Sequence, residues 1–132
     1  MIFVIDASVA VEVLLQTAVG RHATELIRTA ELVAPELLDV EVLAVVRREN
    51  LAGRLKTRRA NEVVDDLRAW DVQRISHRAL TDEAWALRHN ATAYDAMYLA
   101  AARIHDAPIL TIDGPLARIP VAGFIIQNLA AR

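Results

Sequence analysis

The stretch IFVIDASVAVEVLL at residues 2–15 starts with an apolar β-branched and aromatic run, stops at Asp6, and resumes with apolar positions compatible with a helix. Such a change across one polar residue reads as a buried strand feeding a helix. Working outward, the same alternation recurs. A helix is expected over about 19–31, a strand at LVAP (32–35), and a helix within PELLDVEVLAVVRRENLAG (35–53), with Pro35 near its start and Gly53 past its end. Residues Thr57 to Trp70 are again helical, VQRI (72–75) reads as a strand, and about 77–90 form a helix carrying Leu80, Ala84 and Leu87. Thr92 precedes the helical run AYDAMYLAAARIH (93–105), PILTI (108–112) is a strand ending at Asp113, and GFIIQ (123–127) is a last strand. This alternation predicts an α/β fold: a central, mostly parallel β-sheet flanked by helices on both faces. Ligands of such sheets sit beyond the carboxyl ends of the strands.

The chain has 132 residues, 55% of them hydrophobic, four glycines, four prolines and no cysteine. Its length and the absence of repeats or of a Gly-, Pro- or Ser-rich linker predict a single domain over 1–132. Without cysteine there is no disulfide scaffold, zinc-thiolate site, iron–sulfur cluster or thiol nucleophile, so the chemistry must use oxygen and nitrogen. No apolar run approaches the roughly 18 residues that span a bilayer, and Asp6 interrupts the start where a signal peptide would need a basic flank. A soluble, cytoplasmic protein without a membrane partner is the expectation.

The net charge of −2 argues against broad attraction to polyanions. Locally, RRENLAGRLKTRR (47–59) sets Arg47, Arg48, Arg54, Lys56, Arg58 and Arg59 against the single acid Glu49. A solvated helix–loop–helix surface is the first reading of such a run, and a nucleic-acid partner gains little support from it. The glycines form neither a dinucleotide-binding nor a phosphate-loop signature, and the four histidines lack metal-ligand spacing, which leaves them surface or capping roles. For Trp70, Trp85, Tyr94 and Tyr98, core packing is the first expectation, although Tyr94 and Tyr98 lie one helical turn apart beside Asp95, so that one of them is expected to border the site.

Four acids stand out by context: Asp6 and Asp113 at strand ends, Glu41 inside LLDVEVLAVV, and Asp95, the only charged residue from Ala91 to Ala102. Each also has an ordinary structural role. Asp6 can cap a helix, Thr92 and Asp95 have capping-box spacing, Asp113-Gly114-Pro115 is turn chemistry, and Glu41 can face solvent. In a parallel sheet, however, Asp6 and Asp113 emerge on the same rim. Convergence of the four would raise carboxyl pKa values and oppose folding unless a cation compensated, and an all-oxygen set suits Mg²⁺ or Mn²⁺.

The motifs VIDAS (4–8), Glu41 in its apolar helix, TAYDAMYLAAA (92–102) and LTIDGPL (110–116) resemble the four acidic motifs of PIN-domain ribonucleases, and more narrowly of the VapC toxins of VapBC toxin–antitoxin pairs. The resemblance runs nearly end to end and implies a PIN-like fold. It implies that Asp6, Glu41, Asp95 and Asp113 are the catalytic and metal-binding acids, with Ser8 and Thr111 orienting carboxylates or metal-bound water. Gly114 to Arg118 supply no further acid or amide, which puts a tightly held second metal in doubt. The implied activity is Mg²⁺-dependent endonucleolytic hydrolysis of RNA by a metal-activated water, with Mn²⁺ able to substitute and 5′-phosphate and 3′-hydroxyl products. The implied partners are RNA, a VapB-like antitoxin and a second copy in a homodimer. Arg47 and Arg48, which follow Glu41 on the same expected helix, are the candidate phosphate contacts. The competing reading is a catalytically silent PIN-like domain that binds RNA or protein. A receiver domain and a haloacid-dehalogenase-like phosphatase both want a lysine after a late strand, and Lys56 is the sole lysine.

Overall fold

The protein is described by a computed structural model, which covers residues 1–119 and 126–129. Strand β1 (Ile2–Ile5) leads into helices α1 (Ala7–Leu15) and α2 (Ala18–Ile27); β2 (Glu31–Pro35) leads into α3 (Leu37–Leu51) and α4 (Thr57–Ala69). Next come β3 (Gln73–Ile75), α5 (His77–Ala86), α6 (Ala93–His105), β4 (Ile109–Thr111), the short α7 (Gly114–Ala117) and β5 (Ile126–Asn128). The five strands form one sheet in the order β3-β2-β1-β4-β5, and every pair is parallel.

Strand β1 lies in the middle, where both faces are covered, and this is why its residues are continuously apolar rather than alternating: Val4 and Ile5 are fully buried. Helices α1 to α4 pack among themselves on one face, while α5 and α6 pack together on the other and α6 rests on β1 and β2. The chain runs from β1 outward to β3, then crosses back to β4, so the strand order reverses between β1 and β4. That crevice is where doubly wound sheets bind ligands.

Several elements end differently from the sequence reading. Helix α2 stops at Ile27 rather than about residue 31, because Glu31 is needed in the sheet: it stands opposite Ile2, and its amide bonds to the Met1 carbonyl at 2.8 Å. Pro35 belongs to β2 rather than to the helix that follows, where the His77 imidazole Nε2 accepts the Leu37 amide at 2.8 Å, so this histidine does cap a helix. The Asp-Gly-Pro turn is the start of α7, with proline in its first turn. The last strand spans Ile126–Asn128; residues 123–125 of the expected GFIIQ strand lie outside the described residues. Core packing fails for two aromatics: Trp85 is 66% and Tyr94 63% exposed, whereas Tyr98 is buried at 1%. Arg88 lies over the Trp85 ring, 4.8 Å from its centroid. The basic run 47–59 is largely paired on its own surface, Arg54 with Glu49 and both Arg58 and Arg59 with Glu62.

The corner between α1 and α2 sets how the first helical layer folds over. Gln16 ends α1 in the left-handed region, and the Thr17 hydroxyl accepts the Gly20 amide at 3.1 Å. Gly20 is buried directly on α1: a Cβ there would stand 1.9 Å from the Glu12 carbonyl oxygen. Backbone cannot yield as a side chain can, so Gly20→Ala is expected to cost about 3 kcal/mol or more and to lower the melting temperature by roughly 10 °C. At Gly53 φ is +79° and the space is open, so Gly53→Ala carries only a left-handed penalty of about 1 kcal/mol. Thermal unfolding of the two variants checks this, and equal losses would contradict the close approach.

Candidate active site

Register builds the centre of the site. Val4 and Ile5 stand opposite Ile109 and Leu110, and the Asp6 amide bonds to the Leu110 carbonyl at 3.1 Å. The next residue of β4, Thr111, is thereby brought level with Asp6. Its hydroxyl donates to Asp6 Oδ2 at 2.8 Å, the Ser8 hydroxyl donates to the same oxygen at 2.7 Å, and the Ala7 amide donates to Oδ1 at 2.8 Å. With each hydroxyl proton committed to the carboxylate, the lone pairs are free to accept: Ser8 takes the Ile112 amide at 3.0 Å and Thr111 the Asp113 amide at 2.8 Å. Asp6, 6% exposed, is both the N-cap of α1 and the hub that ties β1, α1 and the end of β4 together.

The other three acids arrive on separate elements. Asp113 precedes α7, makes no capping bond with its side chain, and is half-buried. Asp95 lies in the first turn of α6, where the helix dipole favours an anion, and the Thr92 hydroxyl that caps this helix accepts its amide at 3.2 Å. Glu41 projects from α3, half-buried, and its Oε1 accepts from the Tyr98 hydroxyl at 2.6 Å. Tyr98 is thus the tyrosine that borders the site. Its part was hidden in the sequence, since only the packing of α6 and α3 over one sheet edge brings position 98 to position 41. Beside Asp113 and Ser8 opens a hollow of about 240 Å³, also lined by Val11, Glu12, Val45 and Ile112.

The acids act on one another electrostatically. Burial raises the Asp6 carboxyl above its ordinary range against the pull of its three donors, and the Asp113 charge adds to the rise. Glu41 is likewise raised, first by burial and then by the charges of Asp6, Asp95 and Asp113, with the Tyr98 bond opposing. Asp95 is raised by burial and by Asp113 and Asp6. Among the described residues none of the four forms an ion pair. Nor are any three acids or histidines gathered closely enough, as they stand, to enclose an ion. The donor chemistry nonetheless fits a hard divalent cation: the four acids offer only oxygen, and among the described residues no positive side chain pairs with any of them.

The two arginines separate. Arg48 lies seven residues beyond Glu41 with Val45 between, on the same face of α3 and about 10 Å further along it, and pairs only loosely, at 3.7 Å, with Glu49. Arg47 lines a hollow between α3 and α4 with Asn50, Ala60 and Asn61, away from that face.

Three raised carboxyls dictate a pH dependence. The folded state holds these protons more tightly than the unfolded chain, so stability falls as pH rises from the ordinary carboxylate range, about 4, through the raised values. Asp6→Asn removes the most buried of these charges. Its melting temperature relative to wild type, both free of divalent metal, is expected to climb between pH 4 and pH 7. A difference that stays constant over that interval would contradict the electrostatic account.

The sequence matches the family model of the PIN domain over residues 3–122. It is 41% identical over 88 residues to Ribonuclease VapC1 of Mycobacterium tuberculosis, a match covering 66% of this chain and 66%, just under two thirds, of that relative. It is 32% identical over 115 residues to Ribonuclease VapC12 of the same organism, covering 87% of this chain and 89% of the other. In fold it is similar to the crystal structure of VapBC2 from Rickettsia felis bound to a DNA fragment from their promoter, with a TM-score of 0.65 at 14% identity over 96% of this chain and 98% of that one. With most of its length inside the family model and a relative matched nearly end to end, the chain belongs to the PIN-domain family, alongside the VapC ribonucleases.

Proposed function

We propose that this protein is an Mg²⁺-dependent endoribonuclease toxin of the VapBC type, with Asp6, Glu41, Asp95 and Asp113 as its catalytic and metal-binding acids. The observation that carries the reading is the set of four carboxylates at the carboxyl rim of a parallel sheet, where burial and then the neighbouring charges raise Asp6, Glu41 and Asp95, with no counter-charge paired to any of the four among the described residues. A lone structural cap does not require that cost. When bound there, a divalent cation supplies the neutralising charge, draws in a phosphate and makes water a better nucleophile near neutral pH.

The chain's own residues hold and aim. Ser8 and Thr111 keep both hydroxyl protons on Asp6 Oδ2, which fixes the carboxylate's plane and favours its ionised form. Through their accepted amides they also set the backbone that leads to Asp113. Arg48 lies where the phosphate backbone of an RNA threaded past Glu41 would pass, and its charge contributes affinity without reading sequence. Arg47 faces α4 and is the poorer candidate for that contact. The hollow beside Asp113, walled by Val11, Val45 and Ile112, gives the flanking nucleotide an apolar surface.

A VapB-like antitoxin is the proposed regulator and a homodimer the proposed assembly. Leu26, Val40, Leu43, Leu51, Trp85 and Tyr94 leave apolar surface that such partners would cover. None of the helices among the described residues is long and apolar enough to cross a membrane. An RNA substrate would be met in the cytoplasm.

The test is a transcriptome-wide map of new RNA 5′-phosphate ends after brief induction in a bacterial host without antitoxin, comparing wild type with Asp95→Asn. Discrete ends are expected with wild type, reduced by roughly a hundredfold or more in the variant, since losing a metal-holding group costs at least as much as losing one that supports it. Equal ends from both proteins would remove Asp95 from the mechanism. No ends from either, with both soluble, would point to a binding domain without catalysis.

A further inference from the structure

Tyr98 is the largest fully buried side chain among the described residues, yet it carries a hydroxyl that must find a partner there. It sits on α6 one turn beyond Asp95 and reaches across to α3, where its proton is given to Glu41 Oε1 at 2.6 Å. That is a short contact for a hydroxyl on a carboxylate, the length of a charge-assisted bond. The Ala7 amide, which donates to Asp6 Oδ1, also lies close to the phenolic oxygen. A buried ring with two torsions therefore stands at the meeting point of the three elements that bring Asp6, Glu41 and Asp95 together.

Glu41 needs such a hold more than the other acids do. Asp6 has three donors and a short side chain, whereas Glu41 has three torsions, a half-buried position and Tyr98 as its hydrogen-bond partner. Fixing Oε1 leaves Oε2 as the oxygen turned to a ligand, and it removes rotamer freedom that would otherwise be lost at the moment of binding. Phenylalanine would serve the core equally well. The hydroxyl has no packing role, and burying it is costly unless Glu41 is there to receive it.

Resting on the assignment of Glu41 to the metal site, we propose that Tyr98 is a positioning residue for this centre, setting cation affinity through its hydrogen bond to Glu41. A residue that orients a ligand in this way typically changes metal affinity by 10–100-fold when its bond is removed.

The experiment is titration of Mn²⁺ into the full chain, followed by calorimetry, for wild type, Tyr98→Phe, Glu41→Gln and the double variant. Tyr98→Phe is expected to weaken binding roughly tenfold, and to have no further effect once Glu41 is glutamine. On RNA it should lower kcat with little change in KM. A lower melting temperature with unchanged Mn²⁺ affinity would mean that Tyr98 merely packs, and would overturn the inference. Wild type that binds no Mn²⁺ would instead overturn the metal reading itself. Should Tyr98→Phe not fold, 3-fluorotyrosine at 98 in a Tyr94→Phe background, the chain's only two tyrosines, gives one fluorine resonance. That resonance should shift on adding Mg²⁺ and stay fixed when Glu41 is glutamine; an unmoved resonance in the Glu41 protein overturns the inference.

Discussion

The carboxylate of Asp6 is buried at the carboxyl end of the central strand and met, among the described residues, by neutral donors alone: two hydroxyls and one amide. Everything near the site is arranged around that constraint. A buried anion with nothing to accept from would be intolerable in an α/β core, so the chain supplies Ser8 from the helix it caps and Thr111 from the neighbouring strand. Those hydroxyls, their protons given to Asp6, must in turn accept from Ile112 and Asp113, which fixes the path of the chain beyond β4. One carboxylate thus couples strand register, the start of α1 and the placement of a second acid.

Three neutral hydrogen bonds soften the burial of Asp6 without cancelling it. The carboxyl remains raised, and Glu41 and Asp95 are raised with it, so the folded state holds charges that disfavour one another. This is local instability placed at the crevice where strand order reverses, in a fold whose apolar β1 and all-parallel sheet are otherwise self-consistent. Electrostatic conflict confined to a cleft, with the remainder of the structure in agreement, supports the proposal that the cleft binds a cation.

Much of this was legible in the sequence because strand-end acids interrupt apolar runs. IFVI before Asp6 and PILTI before Asp113 mark the two rim positions by pattern alone, and alternation with helices puts both strands in one parallel sheet. Pairing was not legible. That Thr111 stands level with Asp6 depends on β1 and β4 being neighbours, although more than a hundred residues separate them. That Tyr98 rather than Tyr94 serves Glu41 depends on how α6 turns its faces over the sheet. Arg47 and Arg48 look equivalent as neighbours in sequence, yet the helical turn of about 100° per residue sends them to different surfaces. Trp85 departs from the expected core packing for a related reason. In so alanine-rich a chain small residues fill the α5–α6 contact, and the indole stays outside with Arg88 against it.

On the proposed reading the four acids form a cation site organised by Asp6. Its most direct test is the anomalous difference density of crystals grown with Mn²⁺. A peak is expected between the carboxylates of Asp6, Glu41, Asp95 and Asp113, absent from crystals of Asp6→Asn grown in the same way. A peak held elsewhere on the chain, or one that persists unchanged in Asp6→Asn, would contradict it.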